Sequence, residues 1–126
     1  MRTPPNSSPL RRHQRRFLQL RKELQSLKYF CKGTVLVRTM KCGKSTCACH
    51  VDPAKRHGPY WEWTYKSQAK TVNVKLSPAS GPIYQAAVRQ YRKLKSLLTR
   101  LERTSRTALA ALARQEETAH TKRNRS

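Results

Sequence analysis

The chain has 126 residues, with 28 Lys or Arg against 6 Asp or Glu and a formal net charge of +22. That length suits one domain with a thin core, because only 37% of the residues are hydrophobic. Six carboxylates leave paired-carboxylate and acidic metal-nuclease chemistries poorly supplied, and the positive charge exceeds what solubility asks of a small protein. A polyanionic partner relieves such self-repulsion; nucleic acid comes first and an anionic membrane surface second.

No stretch reads as a secretory signal or a membrane span. MRTPPNSSPLRRHQRR carries charges where a signal needs an apolar run, and TALAALA is too short to cross a bilayer. The expectation is a cytoplasmic protein, with nucleoid association as an option. In that reducing compartment, clustered cysteines are ligands or reactive thiols before they are disulfides.

Residues 1–9, rich in Pro and Ser, read as a flexible lead-in. Leu10, Phe17, Leu20, Leu24 and Leu27 recur at helical spacings, which predicts a helix over 10–32 stopped by Gly33. TVLVRT (34–39) is β-branched and reads as a strand. Lys41 to Pro59 has Gly, Ser, Asp and Pro and no apolar period, so it reads as a loop. YWEWTYK then alternates, with Trp61, Trp63 and Tyr65 on one face. TVNVKL alternates likewise, and the two runs predict an antiparallel hairpin whose turn type stays open. Ser77-Pro78 and Ser80-Gly81-Pro82 offer two alternative helix starts. Beyond them Tyr84, Ala87, Tyr91, Leu94, Leu98, Leu101, Ala108 and Leu112 form a heptad seam, which predicts a long helical region over 79–116. Residues 117–126 read as a disordered basic tail.

The expected architecture is a single α+β domain over 10–116. A small three-stranded antiparallel sheet with a Cys/His knuckle (34–76) packs on two long, antiparallel helices.

Cys42, Cys47, Cys49 and His57 supply three thiols and an imidazole within sixteen residues, a donor set zinc accepts in tetrahedral structural sites. Lys41 and Lys44 would offset the thiolate charge. The competing readings are reduced cysteines packed as small apolar residues, and a disulfide or redox role. His50 is the alternative fourth ligand, although it adjoins Cys49. Cys31 reads as core at the end of the first helix. A zinc deaminase needs a His-x-Glu segment, which is missing, and no phosphate-cradling Gly-rich loop occurs. The chain is therefore expected not to be an enzyme.

The strings CGKSTCAC, HGPYWEWTYK and KTVNVKLSP, ahead of a basic heptad helix, resemble a family of short bacterial proteins of unknown function. That family shares a CGK-x2-C-x-C…HGPY-x-x-W-T…KTV…LSP pattern. The resemblance spans about residues 32–103 and rests on Cys42, Gly43, Lys44, Cys47, Cys49, His57, Gly58, Pro59 and Tyr60. It departs at Ala79–Pro82, where family members start the helix directly with acidic residues. It implies a genomic setting beside mobile-element genes and no particular activity, since the family has none established.

Basic residues are placed where they could meet phosphate. Arg11, Arg12, Arg15 and Arg16 project from the first helix, and Arg89, Arg92, Lys93, Arg100 and Arg103 from the long one. Lys41, Lys44, Lys55 and Arg56 surround the knuckle. Thr64, Lys66, Thr71, Asn73 and Lys75 share the polar sheet face and would read bases if that face entered a major groove. Alternatively Tyr60, Trp61 and Trp63 would stack on unpaired bases, although alternation favours core packing for the tryptophans and leaves Tyr60 freer. The composite expectation is a zinc-stapled, non-enzymatic nucleic-acid-binding protein, DNA favoured over RNA, with an accessory role in DNA transactions. The alternatives are a protein-interaction adaptor or homodimer through the heptad helices, and a ribosomal-type RNA-binding protein.

Overall fold

The computed structural model describes residues 8–125. Its elements run α1 (Pro9–Gln25), β1 (Thr34–Met40), β2 (His57–Ser67), β3 (Lys70–Leu76) and α2 (Gly81–Arg125). Short 3-10 turns at Ala48–His50 and Pro53–Lys55 lie between β1 and β2. The fold is α+β, with the three-stranded antiparallel sheet, the Cys/His cluster and the packed helices that the sequence predicts. Apart from Ser8 and Pro9, the lead-in expected over 1–9 lies outside the described residues. The chain forms two compact units: residues 8–27 with 93–125, and residues 28–92.

The first unit is a pair of helices. Ser8 Oγ accepts the Arg11 amide at 3.2 Å and Pro9 occupies the first turn, so α1 begins with a side-chain cap and a preset φ. Leu10 and Gln14 share one groove with Ala111 and Thr118, and Phe17 and Leu18 share another with Ser105 and Leu109. As α1 advances its neighbours on α2 run backwards, so the helices are antiparallel. Leu20 and Leu97 are fully buried. The expected seam included Leu98 and Leu112, yet both are about half exposed. A 3.6-residue helix drifts against a strict heptad, and Leu97 takes the inward position instead.

Two helix boundaries differ from expectation. α1 ends at Gln25, not near 32: the Ser26 amide bonds to the carbonyls of Glu23 and Leu24, and its hydroxyl donates to Glu23 at 2.6 Å. α2 continues to Arg125 instead of stopping at 116. Glu102–Arg106 (3.0 Å) and Glu116–Arg123 (3.2 Å) ion pairs line its exposed surface, and its last turn holds Lys122, Arg123 and Arg125, which suit the negative end of the helix dipole.

In the second unit the strand order is β1-β2-β3, and both pairings are antiparallel. The hairpin turn left open by the sequence places Gln68 and Ala69 at φ 50° and 64°. Two positive φ values at the centre of a two-residue loop are what a type I′ turn demands, here without glycine. Ladder pairs Trp61↔Leu76, Trp63↔Val74 and Tyr65↔Val72 put the apolar residues on one face. That face meets the first turns of α2. Trp63 lies 5.1 Å from Tyr84 between ring centroids and donates Nε1–H to the Lys32 carbonyl at 2.8 Å. Trp61 is held by shape: a Cβ on Gly81 would overlap its indole ring, and its buried Nε1 has no hydrogen-bond partner among the described residues.

Residues 28–33, expected to be helical, run instead as an extended strap beside α2. The Lys28 amide donates to Gln90 Oε1 (3.0 Å) and the Cys31 amide to the Ala87 carbonyl (3.3 Å). Gly33 follows at φ 115°, so close to Trp63 and the Thr64 carbonyl that no side chain fits. Both candidate helix starts are used together. Ser77 and Ser80 bond each other's amides through their hydroxyls (2.9 and 3.0 Å), and the Ser80 carbonyl accepts from Ile83 and Tyr84 as α2 opens.

Candidate metal centre

The β1–β2 ladder brings the cluster together. Met40 pairs with His57 beyond a bulge at Gly58 and Pro59 of β2, so the chain between them is a closed loop whose two ends sit side by side. Within that loop the Cys47 amide donates to the Lys44 carbonyl, and the 3-10 turn at Ala48–His50 folds Cys49 inward until it is 1% exposed. His50 Nε2 lies 2.7 Å from the Cys42 carbonyl oxygen, which ties the histidine to the loop backbone. His57, carried on β2, is the fourth member of the cluster, and His50 braces the loop backbone at Cys42.

The ligand atoms of Cys42, Cys47, Cys49 and His57 all lie within 4.8 Å of one another. Cys42 Sγ and Cys49 Sγ are 3.5 Å apart, as are Cys47 Sγ and His57 Nε2. A tetrahedral ion with metal–sulfur bonds of about 2.3 Å sets ligand–ligand edges near 3.5–3.8 Å. Two edges of the cluster thus already have that length. The donor set fits a metal ion.

The electrostatics agree. Cys47 is drawn down to about 6, first by the Cys49 backbone amide and then by His57, so it ionises before Cys49. The Cys42 amide donates to Cys49 Sγ at 3.3 Å and favours its thiolate. Burial and the neighbouring sulfurs outweigh that amide and leave the Cys49 pKa raised. A cation at the centre would reverse that balance for Cys49. Cys31 lies outside the cluster, half-buried, with its thiol pushed up by burial, in keeping with a packing role.

The residues expected to bind nucleic acid are distributed over both units. Arg11, Arg12, Arg15 and Arg16 are exposed on α1, and Lys93 and Arg103 on α2. Arg100 is half-buried and donates to the Ser96 carbonyl at 3.4 Å. In the second unit Lys41, Lys44, Lys55, Arg56, Tyr60, Arg89 and Arg92 are exposed. Lys66, Thr71, Asn73 and Lys75 are exposed on the polar sheet face. Thr64 is half-buried and donates to Asn73 Oδ1 at 2.8 Å, so two of the expected base readers are occupied with each other.

Two residues of this face were missed. Arg38 pairs in register with Tyr60, and Glu62 with Lys75, and the two side chains form an ion pair at 3.7 Å. The alternation in TVLVRT carries Arg38 onto the polar face, a signal present in the sequence. A cleft of about 870 Å³ opens between this end of the sheet and the Cys/His cluster. No helix among the described residues is long and apolar enough to cross a membrane.

Fold and site together define a small, strongly basic α+β protein built around a Cys3His cluster suited to a metal ion. The chain belongs to the DUF6788 family, a domain of unknown function, and the match covers residues 9–85. No curated protein and no solved structure matches it.

Proposed function

We propose that this protein is a zinc-stapled, non-enzymatic nucleic-acid-binding protein that favours DNA and assists DNA transactions. Four protein ligands close a tetrahedral shell, which makes the ion a staple and leaves no open position for a substrate. Thiolates with imidazole favour zinc over hard cations such as magnesium or calcium.

The observation that carries the binding reading is the exposed, uncompensated positive charge. Six acidic side chains cannot neutralise 28 basic ones, and two of those acids already hold Arg106 and Arg123 on α2. Titration against random-sequence duplex DNA across a salt series tests it. Neutralising 6–10 phosphates would cost about a thousandfold or more in affinity between roughly 50 and 200 mM salt. Binding that is absent or salt-insensitive with duplex and single-stranded DNA alike overturns the reading. It would favour a second one, an adaptor or self-associating protein, which draws support from the exposed Leu18, Leu98 and Leu109 on the helix pair.

A further inference from the structure

We infer that the cleft beside the Cys/His cluster seats one unpaired nucleotide of a single-stranded nucleic acid; this rests on the nucleic-acid reading above. The cleft measures about 870 Å³, within the roughly 300–1,000 Å³ of small-molecule ligand sites. Cys42 and His57 border it on the cluster side together with Lys41, while Arg38, Tyr60, Glu62 and Lys75 come from the sheet. Every one of these residues belongs to the 28–92 unit.

Each lining group suits a different part of a nucleotide. Tyr60 is half exposed, and strand alternation turns it onto the polar face, away from the packed side of Trp63. An aromatic ring open on a cationic wall is a stacking platform for a base, and stacking tolerates any base because every base has a π-face. Lys41 and Lys75 are exposed cations that can hold the flanking phosphates.

Glu62 separates this reading from a plain phosphate patch. Its carboxylate stands opposite Lys75 in the ladder and 3.7 Å from Arg38. A duplex laid across the sheet would bring a phosphate row over that carboxylate, which like charge opposes. A base turned into the cleft would meet it with a donor edge, and a carboxylate accepts from the cytosine amino group. Only a base outside a helical stack can reach both the ring and the carboxylate. The cleft therefore takes a single-stranded segment, with preference for bases that carry amino donors.

Fluorescence anisotropy at low salt, with the full zinc-loaded chain, tests this on labelled oligo(dC), oligo(rC) and a fully paired hairpin. Tyr60→Ala is expected to weaken single-strand binding about tenfold and to leave hairpin binding unchanged. Tyr60→Phe, which keeps the stacking face, restores the single-strand affinity. An effect on oligo(dC), on oligo(rC) or on both supports the cleft and names the sugar it accepts. Single-strand affinity that ignores Tyr60→Ala, or that falls in parallel with hairpin affinity, overturns the cleft while the nucleic-acid reading stands. A wild-type chain that binds none of the three overturns the reading beneath it.

Discussion

The two units solve the problem of a thin core in opposite ways. All four cysteines, all four glycines, both tryptophans and all five tyrosines fall within residues 28–92. That unit is held by directional devices: an indole N–H on the Lys32 carbonyl, an indole seated on Gly81, and four converging metal ligands. The helix pair has none of these residues, its one aromatic being Phe17, and it relies on leucines such as Leu20 and Leu97. A leucine stripe is not tied to one register: Leu97 is buried where a strict heptad would have placed Leu98. A four-ligand cluster tolerates very little, because each atom has one useful place.

Metal removal should therefore split the molecule most sharply. Structural zinc sites contribute on the order of 10 kcal/mol to the fold they close. Chelation, or Cys49→Ser, should abolish a zinc content near one per chain and lower the temperature at which the amide dispersion of residues 41–57 is lost. The helical far-UV signal of α1 and α2 should survive. A metal-free chain whose knuckle keeps its amide dispersion up to the same temperature as the zinc-loaded one would show that the cysteines are merely packed.

Leu97→Ala makes the mirror-image cut at smaller cost. Truncating a fully buried leucine costs about 2–5 kcal/mol, through lost transfer energy and the cavity left behind. Thermal unfolding followed through helical ellipticity should shift down by that amount while zinc stoichiometry stays unchanged. If zinc content falls with the helices, the two units do not stand on separate supports, and the comparison breaks.

Legibility followed the same division. The β2 and β3 alternation could be read directly, because each strand has one polar and one apolar face and a period of two leaves no other register. The cysteine cluster was legible from spacing. The preference for His57 over His50 was legible too, because His50 adjoins Cys49, and the β1–β2 register supplies its structural reason by pairing Met40 with His57. Arg38 and Glu62 were missed as a pair: alternation puts each on the polar face, but only the register sets them side by side. In the helix pair the opposite occurred. The helices were plain from periodicity but their ends were not, because Leu27 prolongs the apolar period past a cap formed by backbone bonds at Ser26.

The finest contrast lies between two thiols of the same unit, Cys47 in the cluster and Cys31 in the strap. In the metal-free chain Cys47 is held down to about 6 by the Cys49 amide and His57, whereas burial pushes the Cys31 thiol above its ordinary value of 9.0. A thiol whose folded pKa is depressed adds stability that is fully present above the ordinary thiol value. That contribution fades as pH falls through about 6, where Cys47 takes up its proton. A raised thiol acts in the other direction, adding nothing at acid pH and disfavouring the fold as it ionises. Only the thiolate is alkylated, so iodoacetamide should modify metal-free Cys47 at neutral pH, with half-maximal rate near pH 6. Cys31 should stay unmodified until the medium is alkaline. Peptide mass spectrometry across a pH series reads both sites in one sample. Equal rates at Cys47 and Cys31 at neutral pH would mean that the cluster geometry does not exist before the ion arrives, and the folded loop would then be a product of metal binding alone.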